Sequence, residues 1–396
     1  MSASMTTLLD EARALAPELV EIRRHIHAHP ELSFEETETA KYVVETLTRL
    51  GYQPRFVARG TGVVAEIGGT SGSTIALRAD MDALPIEEAN PNSYCSRKKG
   101  VMHACGHDAH TACLLGAAML LAEKHCRQPL PGRVRLLFQP AEESINAEGK
   151  SGATLMIEEG VLDGVKAALA LHTYTDLEAG KFGLRSGPIL AACDSFVITV
   201  RGKGAHGAMP ELGVDAIVLA AQVVQTVQTI ASRRISALEP VVITIGGIKS
   251  ATYRPNIVAE EVEIIGTVRY FNASLTEMIQ TELKRCCALA EAMGGSYTIK
   301  YSHENPVLNN DAAVTSKVGA AIEKLLGPTA IVETPMVMGA EDFSFISAAV
   351  PSCFVFLGSE IQGDRRKFHT AQFDIDETAL PLGSAMLAEA ALQLLG

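Results

Sequence analysis

Residues Met102-His-Ala-Cys-Gly-His-Asp-Ala-His110 place one cysteine, three histidines and an aspartate in a single short stretch. Cys105 and His107 flank one glycine, so in an extended or tight loop both side chains can reach the same point. The run 111–122 is typical of a buried helix of small residues, and a helix start favours a thiolate. The stretch therefore predicts a metal site where a loop enters a helix. The alternative interpretation is a buried free cysteine with hydrogen-bonded histidines nearby.

Further candidate residues follow the carboxyl ends of predicted central strands. In chain order these are Asp80 and Asp82 after strand 74–79, Glu142 and Glu143 after strand 133–138, and His172 after strand 167–171. Open α/β sheets place their sites at this edge.

The pattern changes after residue 187 and then changes back. Strands at 194–200, 241–248, 261–270 and 297–301, with helices at about 214–232 and 275–293, give the order β-α-β-β-α-β, which is ferredoxin-like. We predict an α/β fold in which a central mixed sheet carries helices on both faces, as in zinc peptidases. This catalytic domain is formed by 1–187 and 297–396, and a ferredoxin-like α+β domain is inserted at 188–296.

Two adjacent carboxylates, Glu142 and Glu143, are the second strong signal. At a strand end they point in different directions, so one can bind metal while the other faces the substrate as a general base. An ordinary acidic loop is the alternative. His172 and His369 complete a set with Cys105, His107 and Glu143 that two metals can share. Imidazole and thiolate ligands suit zinc, cobalt, nickel or manganese better than calcium or magnesium.

Other polar residues have weaker interpretations. His206 lies in a loop of the insert, where it either reaches a metal site or is a loop histidine without a partner. Arg254 and Arg269 either clamp an anionic group or close salt bridges on a sheet edge. Asp80 and Asp82 are expected to orient a ligand histidine. The histidines at 25, 27 and 29 precede a proline and are expected to be structural.

Two helix signals open the chain. Residues 8–27 have helical periodicity that ends at Pro30. Ser33-Phe-Glu-Glu36 resembles a capping box and predicts a second helix running to about Leu50.

Composition excludes several classes of function. The chain has 396 residues, 47% of them hydrophobic, and a net charge of −12, so nucleic acid and anionic membranes are not expected partners. No basic and apolar leader is present at the N-terminus, and no apolar run approaches the ~20 residues of a spanning helix. The eight cysteines show no CxxC framework and are expected to be reduced thiols in a cytoplasmic protein.

An ordered set of motifs resembles a known family. The motifs are Arg23-Arg-His-Ile-His-Ala-His-Pro-Glu-Leu32, Arg78-Ala-Asp-Met-Asp-Ala-Leu-Pro85, Met102-His-Ala-Cys-Gly-His-Asp-Ala-His-Thr111, Phe138-Gln-Pro-Ala-Glu-Glu143, Gly204-Ala-His206, Gly339-Ala-Glu-Asp-Phe343 and Phe368-His-Thr370. Together they resemble the metal-dependent amidohydrolases, which include hippurate hydrolases, aminoacylases and auxin-conjugate hydrolases. That family is related to the glutamate-type carboxypeptidases.

The resemblance implies a role for each matching residue. It implies Cys105, His107, Glu143, His172 and His369 as ligands of two divalent metal ions. It also implies Glu142 as the general base and His206 as the group that stabilises the oxyanion. Asn256 and Arg269 match positions that hold the substrate carboxylate, and Gly339 lines the same pocket. The inserted domain is expected to form a homodimer, or a higher oligomer.

Three positions depart from the family pattern. Asp80 stands where related carboxypeptidases have a ligand histidine, which places the chain in the cysteine-containing subgroup. His172 is followed by Thr-Tyr-Thr-Asp176 instead of the common Asn-Trp-Pro-like run, and Glu211 replaces a frequent histidine. The last two departures lie near the expected substrate pocket, so they leave open which acyl group the substrate carries.

The function expected from these residues is metal-dependent hydrolysis of the amide bond of N-acyl-L-amino acids. A dipeptidase, aminopeptidase or carboxypeptidase with the same two-metal site is the alternative within enzymes. A catalytically silent metal-binding protein is the alternative outside them. The native metal, the amino acid, and whether His206 acts in its own subunit or across a dimer stay open.

Overall fold

The computed structural model describes residues 7–69, 71–364 and 366–396, and their contacts divide the chain into two units. The first unit is formed by the chain up to Ile189, by Asn309–Pro335 and by Asp342–Gly396. The second unit is formed by Leu190–Leu308 and Met336–Glu341.

The chain alternates helices and strands before and after the second unit. The helices up to Ile189 are α1 (Leu8–Ala14), α2 (Ala16–Ala28), α3 (Thr37–Arg49), α4 (His107–Arg127) and α5 (Gly152–Glu158). The strands there are β1 (Arg55–Val57), β2 (Gly62–Gly68), β3 (Thr74–Asp80), β4 (Arg133–Gln139), β5 (Val165–Glu178), β6 (Phe182–Leu184) and β7 (Gly187–Leu190). The second unit contributes β8 (Ala192–Arg201), β9 (Ala205–His206), α6 (Ala216–Thr229), β10 (Val241–Ser250), β11 (Ile257–Val258), β12 (Glu261–Tyr270), α7 (Thr276–Ala292) and β13 (Ser296–Asn305). The remaining elements are β14 (Leu308–Asn310), α8 (Ala312–Leu326), β15 (Ile331–Glu333), α9 (Phe343–Ala349), β16 (Ser352–Glu360) and α10 (Leu380–Leu395).

The first unit is built on one mixed sheet with the strand order β1-β2-β4-β3-β5-β16-β6-β15. Its middle strands β4, β3, β5 and β16 are parallel, whereas β2 is antiparallel to β4. Asp80 at the end of β3 is paired with Gln139 at the end of β4. The segments that leave these two strands therefore start side by side, which is the arrangement that the predicted site requires.

Helices cover both faces of this sheet. Successive strand residues point to opposite faces. On β3, Leu77 joins the core formed with α4 and α10, whereas Arg78 turns the other way and pairs with Asp342 at the start of α9. The predicted central mixed sheet between helices is confirmed.

The helical stretch Glu377–Leu395 is long and apolar enough to cross a bilayer, which the sequence analysis did not expect. Of the apolar part of this stretch, 67% is buried, and α10, which forms most of the stretch, packs against α4 and α8 in the core. The stretch is therefore apolar because it forms a core helix of the first unit.

The second unit has a four-stranded antiparallel sheet with the order β10-β12-β8-β13. Helices α6 and α7 bury Leu219 and Leu283 against Ile198 and Ile264 of the sheet. The predicted ferredoxin-like order is confirmed. An insert is predicted over 188–296, whereas the second unit extends to Leu308 because β13 pairs with β8.

Three local predictions differ from the structure. The single helix expected at the start is two helices, because the first helix ends before Leu15 and α2 begins at Ala16 with Pro17 in its first turn. The capping box at 33–36 does not form, since Glu36 is the N-cap of α3 but makes no capping bond with its side chain. Finally, His172 lies inside β5 instead of after its end, because pairing with β16 carries β5 on to Glu178.

Candidate metal centre

Gly106 separates the two closest candidate ligands, Cys105 and His107. Its φ of +91° lies in the left-handed region, and a Cβ there would come within 2.3 Å of the Thr173 hydroxyl oxygen. Only glycine meets both conditions without strain. The chain can therefore turn sharply before α4 and bring the thiol and the imidazole to one side.

His107 is fully buried and carries a nitrogen without a hydrogen-bond partner. Its Nδ1 lies 2.9 Å from the main-chain oxygen of Asp82 and 3.1 Å from Asp82 Oδ1, so Nδ1 holds the proton. Its Nε2 is buried and makes no hydrogen bond in the described part of the chain, with Asp80 Oδ2 at 3.7 Å and Glu142 Oε2 at 4.0 Å. Buried polar atoms without partners are uncommon in proteins. An imidazole nitrogen whose lone pair faces carboxylates is a suitable ligand for a metal ion.

The charges around His107 support the same interpretation. Burial lowers the pKa of His107, but the neighbouring carboxylates of Asp80 and Asp82 overcome this and hold it well above its usual range. The position thus favours a positive charge, which a divalent cation also supplies.

His172 faces Cys105 with its Nε2 atom. Its Nδ1 lies 2.7 Å from the main-chain oxygen of Thr173, which can only accept, so Nδ1 carries the proton. Its Nε2 lies 3.5 Å from Cys105 Sγ. Burial and nearby His110 hold the pKa of His172 well below its usual range, which keeps the ring neutral. A neutral imidazole with a free Nε2 is the form that binds metals.

Glu143 and His369 form the other side of the cluster. The Glu143 main-chain nitrogen donates to Asp82 Oδ2 at 3.0 Å, and the Glu143 Oε1 atom lies 3.1 Å from His369 Nε2. His369 has a φ of +58°, and its main-chain nitrogen donates to Ala104 at 2.8 Å. Hydrogen bonds to Cys105 and Glu143 raise the pKa of His369 to about 10.

The structure thus brings all five predicted ligands and Glu142 together in the first unit. Among these six residues, three groups have ligand atoms within 4.8 Å of one another, namely Cys105 with His107 and His172, Cys105 with Glu143 and His369, and His107 with Glu142 and Glu143. Cys105 belongs to two of these groups. A shared thiolate between two overlapping groups is a suitable arrangement for two metal ions.

Asp82 contacts His107, which is one of the predicted ligands, whereas Asp80 contacts His110, which is outside the predicted ligand set. Asp82 fixes His107, and Asp80 accepts from Arg78 at 2.7 Å and from His110 Nδ1 at 2.6 Å. His110 was not among the residues predicted from the sequence. Because the Thr173 main-chain nitrogen donates to His110 Nε2 at 2.9 Å, both of its nitrogens are occupied. The three-residue spacing from His107 on a helix was the signal that placed the two rings together.

Two buried polar networks were also missed. Asp342 accepts from Arg78 at 2.9 Å and from Gln139 at 2.8 Å. Because Arg78 also donates to Asp80, Asp342 helps to hold the arginine that fixes Asp80. Asp108, next to His107, accepts from Arg23 at 2.8 Å and is 2.8 Å from His27 Nδ1. The structural role expected for the latter histidine agrees with this contact.

The second unit carries the other predicted site residues. His206 is exposed on β9, and its Nδ1 accepts from the Ala208 main-chain nitrogen at 3.0 Å, so its Nε2 carries the proton. Asn256 lies beside it, because its main-chain oxygen accepts from Gly207 at 2.8 Å.

Two further predicted residues lie elsewhere in the second unit. Arg269 lies on β12 opposite Cys193, and the main-chain oxygen of Gly339 accepts from Ala191 at 2.9 Å. Both positions are next to the start of β8. The structure thus places the four second-unit candidates in two parts of this unit.

Comparison with known proteins identifies the family. Residues 76–393 match the family described as peptidase family M20/M25/M40. The chain belongs to this family. This M20 protein is 42% identical over 386 residues to an N-acetyl-L-cysteine deacetylase of Bacillus subtilis (strain 168), covering 96% of this chain and 89% of the relative. It is 43% identical over 307 residues to an N-acyl-L-amino acid amidohydrolase of Geobacillus stearothermophilus, covering 77% and 80%.

A solved structure extends the comparison to the fold. A dinuclear metal binding peptidase of the M20 family from Bacillus subtilis superposes with a TM-score of 0.84 and 33% identity, covering 97% of this chain and 99% of that chain. The M20 protein is therefore a hydrolase of the amidohydrolase and metallopeptidase type, as the sequence predicts. Its clustered ligand atoms support two divalent metal ions.

Proposed function

We propose that this M20 protein hydrolyses the amide bond of N-acyl-L-amino acids and releases a carboxylic acid and a free amino acid. The observation that carries the proposal is the buried, unpaired Nε2 of His107, which lies among carboxylates beside Glu142. The names of the two curated relatives, a deacetylase and an amidohydrolase of N-acyl amino acids, support the same substrate class.

Five residues hold the metals in this proposal, namely Cys105, His107, Glu143, His172 and His369. Manganese, zinc, cobalt and nickel suit this mixture of thiolate, imidazole and carboxylate. When bound, two such ions lower the pKa of water toward neutrality and polarise the substrate carbonyl.

Glu142 is the general base in this proposal. It accepts a proton from the attacking water and donates it to the leaving nitrogen, so it returns to its starting state. His206 donates its Nε2–H to the oxyanion, which is consistent with an Nδ1 that accepts from Ala208. Arg269 and Asn256 hold the free carboxylate of the amino-acid half, and Gly339 lines the same pocket.

We further propose a cytoplasmic homodimer formed through the second unit. In the second unit, Ile217 and Val218 on α6 are each 49% exposed, and β10 is an edge strand of the sheet. Apolar residues on an exposed helix beside an open strand edge favour self-association. All eight cysteines are free thiols, which agrees with a reducing compartment. No nucleic-acid or membrane partner is proposed.

The test is amide hydrolysis by metal-free protein after addition of manganese, zinc, cobalt or nickel. Hippurate and N-acetyl-L-amino acids serve as substrates, and released amino acid is measured. We expect metal-dependent release by the wild type. Glu142→Gln should lower kcat by about 10²–10⁴-fold while leaving the metal content unchanged. Release from dipeptides alone would favour the peptidase alternative, and no release from any substrate at full metal occupancy would overturn the proposal.

A further inference from the structure

The two carboxylates of the site follow a residue in an unusual conformation. Ala141, between β4 and Glu142, has a φ of +47° and is fully buried. A non-glycine residue in the left-handed region is strained and persists only where its surroundings hold it. The direction in which the chain delivers Glu142 and Glu143 therefore depends on what fixes Ala141.

A distant side chain holds the N–H of this residue. The Ala141 main-chain nitrogen donates to Glu36 Oε1 at 2.7 Å. Glu36 is fully buried, and although it is the N-cap of α3, its side chain makes no capping bond. Its carboxyl group is thus directed away from its own helix and toward the turn before the general base.

The main chain holds the other end of the same residue. The Ala141 main-chain oxygen accepts from the Gly152 nitrogen at 2.9 Å. A Cβ on Gly152 would come within 1.6 Å of the Pro140 main-chain oxygen, so only glycine allows this approach. Ala141 is therefore held on one side by backbone and on the other by Glu36, which is the part that a substitution can change.

The same loop makes a second contact with the site. Ser33 Oγ donates to Asp82 Oδ2 at 2.7 Å, and Asp82 also accepts from the Glu143 main-chain nitrogen at 3.0 Å. The sequence 33–36 thus contacts the site at two points, on either side of Glu142.

We infer that Glu36 is a positioning residue which holds Ala141 in its left-handed conformation and thereby directs Glu142 and Glu143 into the metal centre. The inference rests on the proposed roles of these two carboxylates. What Glu36 supplies is a hydrogen-bond acceptor at a fixed place. Burial, with a contribution from Asp82, raises the pKa of Glu36 to about 8, so a neutral amide is a close substitute at neutral pH.

The experiment compares two substitutions at this position. Glu36→Gln keeps the acceptor oxygen, whereas Glu36→Leu removes it at similar volume. We expect Glu36→Leu to lower kcat by about 10–100-fold with little change in KM, as for other residues that orient a site, and Glu36→Gln to keep most of kcat. Glu35→Leu is the matched control, because the Glu35 side chain is 61% exposed and pairs with Lys98 at 3.4 Å, so kcat should not change.

A second substitution tests the conformational step itself. Glycine adopts positive φ without strain, so adding Ala141→Gly to Glu36→Leu should recover much of the lost kcat. A role of Glu36 in packing alone predicts no such recovery. Equal loss in Glu36→Gln and Glu36→Leu, or absence of recovery by Ala141→Gly, would overturn the inference. If Glu36→Leu does not fold, Glu36→Met, which also lacks the acceptor oxygen, takes its place in both comparisons.

Amide hydrogen exchange provides a readout that does not depend on activity. We expect faster exchange in the peptide containing Ala141 in Glu36→Leu, and wild-type exchange in Glu36→Gln. Failure of wild-type protein to hydrolyse any amide would overturn the proposed function and leave this measurement valid. Unchanged exchange in Glu36→Leu would overturn the positioning role by itself.

Discussion

The two units hold their candidate residues in opposite ways. In the first unit the Nδ1–H of His107 and that of His172 are each tied to a main-chain oxygen. The Nε2 of His107 makes no hydrogen bond within the described residues, and the Nε2 of His172 faces Cys105 Sγ at 3.5 Å. In the second unit His206 is exposed, and its Nδ1 accepts a hydrogen bond from the Ala208 main chain two residues away. Imidazole rings that are already oriented before an ion binds are typical of a metal site. The arrangement of His206 is typical of a donor whose partner is supplied by the substrate.

This comparison predicts that residues of the first unit control metal content and residues of the second control only the rate. The largest effect is expected for His107→Ala, which removes the unpaired Nε2. We expect the metal-to-protein ratio to fall and hydrolysis to drop below detection. Elemental analysis measures the metal-to-protein ratio, and release of free amino acid measures hydrolysis. His25→Ala, at an exposed histidine of α2, is the control. Unchanged metal stoichiometry in His107→Ala would remove His107 from the ligand set.

His206→Ala tests the other half of the comparison. Loss of one oxyanion donor lowers kcat by about 10²–10³-fold, and we expect this decrease at unchanged metal content and unchanged Tm. A parallel fall in Tm would instead favour a structural role. Mixing His206→Ala with Glu142→Gln extends the test, because recovered activity in mixed dimers means that His206 acts across subunits, whereas no recovery places it within its own subunit.

The third effect is one of stability and leaves the metal centre unchanged. Arg23 is fully buried and pairs with Asp108 and Asp374 at 2.8 Å, whereas Arg24 is 43% exposed and pairs with Glu377 at 2.6 Å. Arg23→Met leaves buried carboxylates unpaired and should lower the free energy of unfolding by about 3–5 kcal/mol.

Arg24→Met is the matched control for that measurement, because Arg23 also contacts Glu377, at 3.1 Å. An exposed pair is worth about 0–1 kcal/mol, so denaturant unfolding should separate the two variants clearly. Equal losses would mean that burial of the network around Asp108 does not stabilise the first unit.

Much of the site was predictable because its residues can be recognised from the sequence immediately around them. Cys105 and His107 flank a glycine at a helix start, and Glu142 and Glu143 follow a buried strand. Residue type and position along an element are properties of short sequence segments. The order of strands and helices along the second unit was predictable for the same reason, and the alternating pattern of its strands indicated a sheet with one covered face.

The failed predictions concern residues whose partners are far away in the chain. Ser33-Phe-Glu-Glu36 has the composition of a capping box, yet Ser33 bonds to Asp82 and Glu36 bonds to Ala141. Local pattern favoured a contact within the helix, and packing replaced it with contacts 49 and 105 residues away. The apolar composition of α10 likewise reflects its burial against α4 and α8, which its own sequence does not encode.

By itself the sequence determined which chemical groups are present, on which kind of element each lies, and that thiolate, imidazole and carboxylate meet near strand ends. Only the tertiary structure decided which nitrogen of His107 is left bare, that both nitrogens of His110 are occupied, and that Glu36 supports the turn at Ala141. The reason is that a hydrogen-bond partner is set by three-dimensional packing, where segments far apart in the chain compete for the same donors and acceptors.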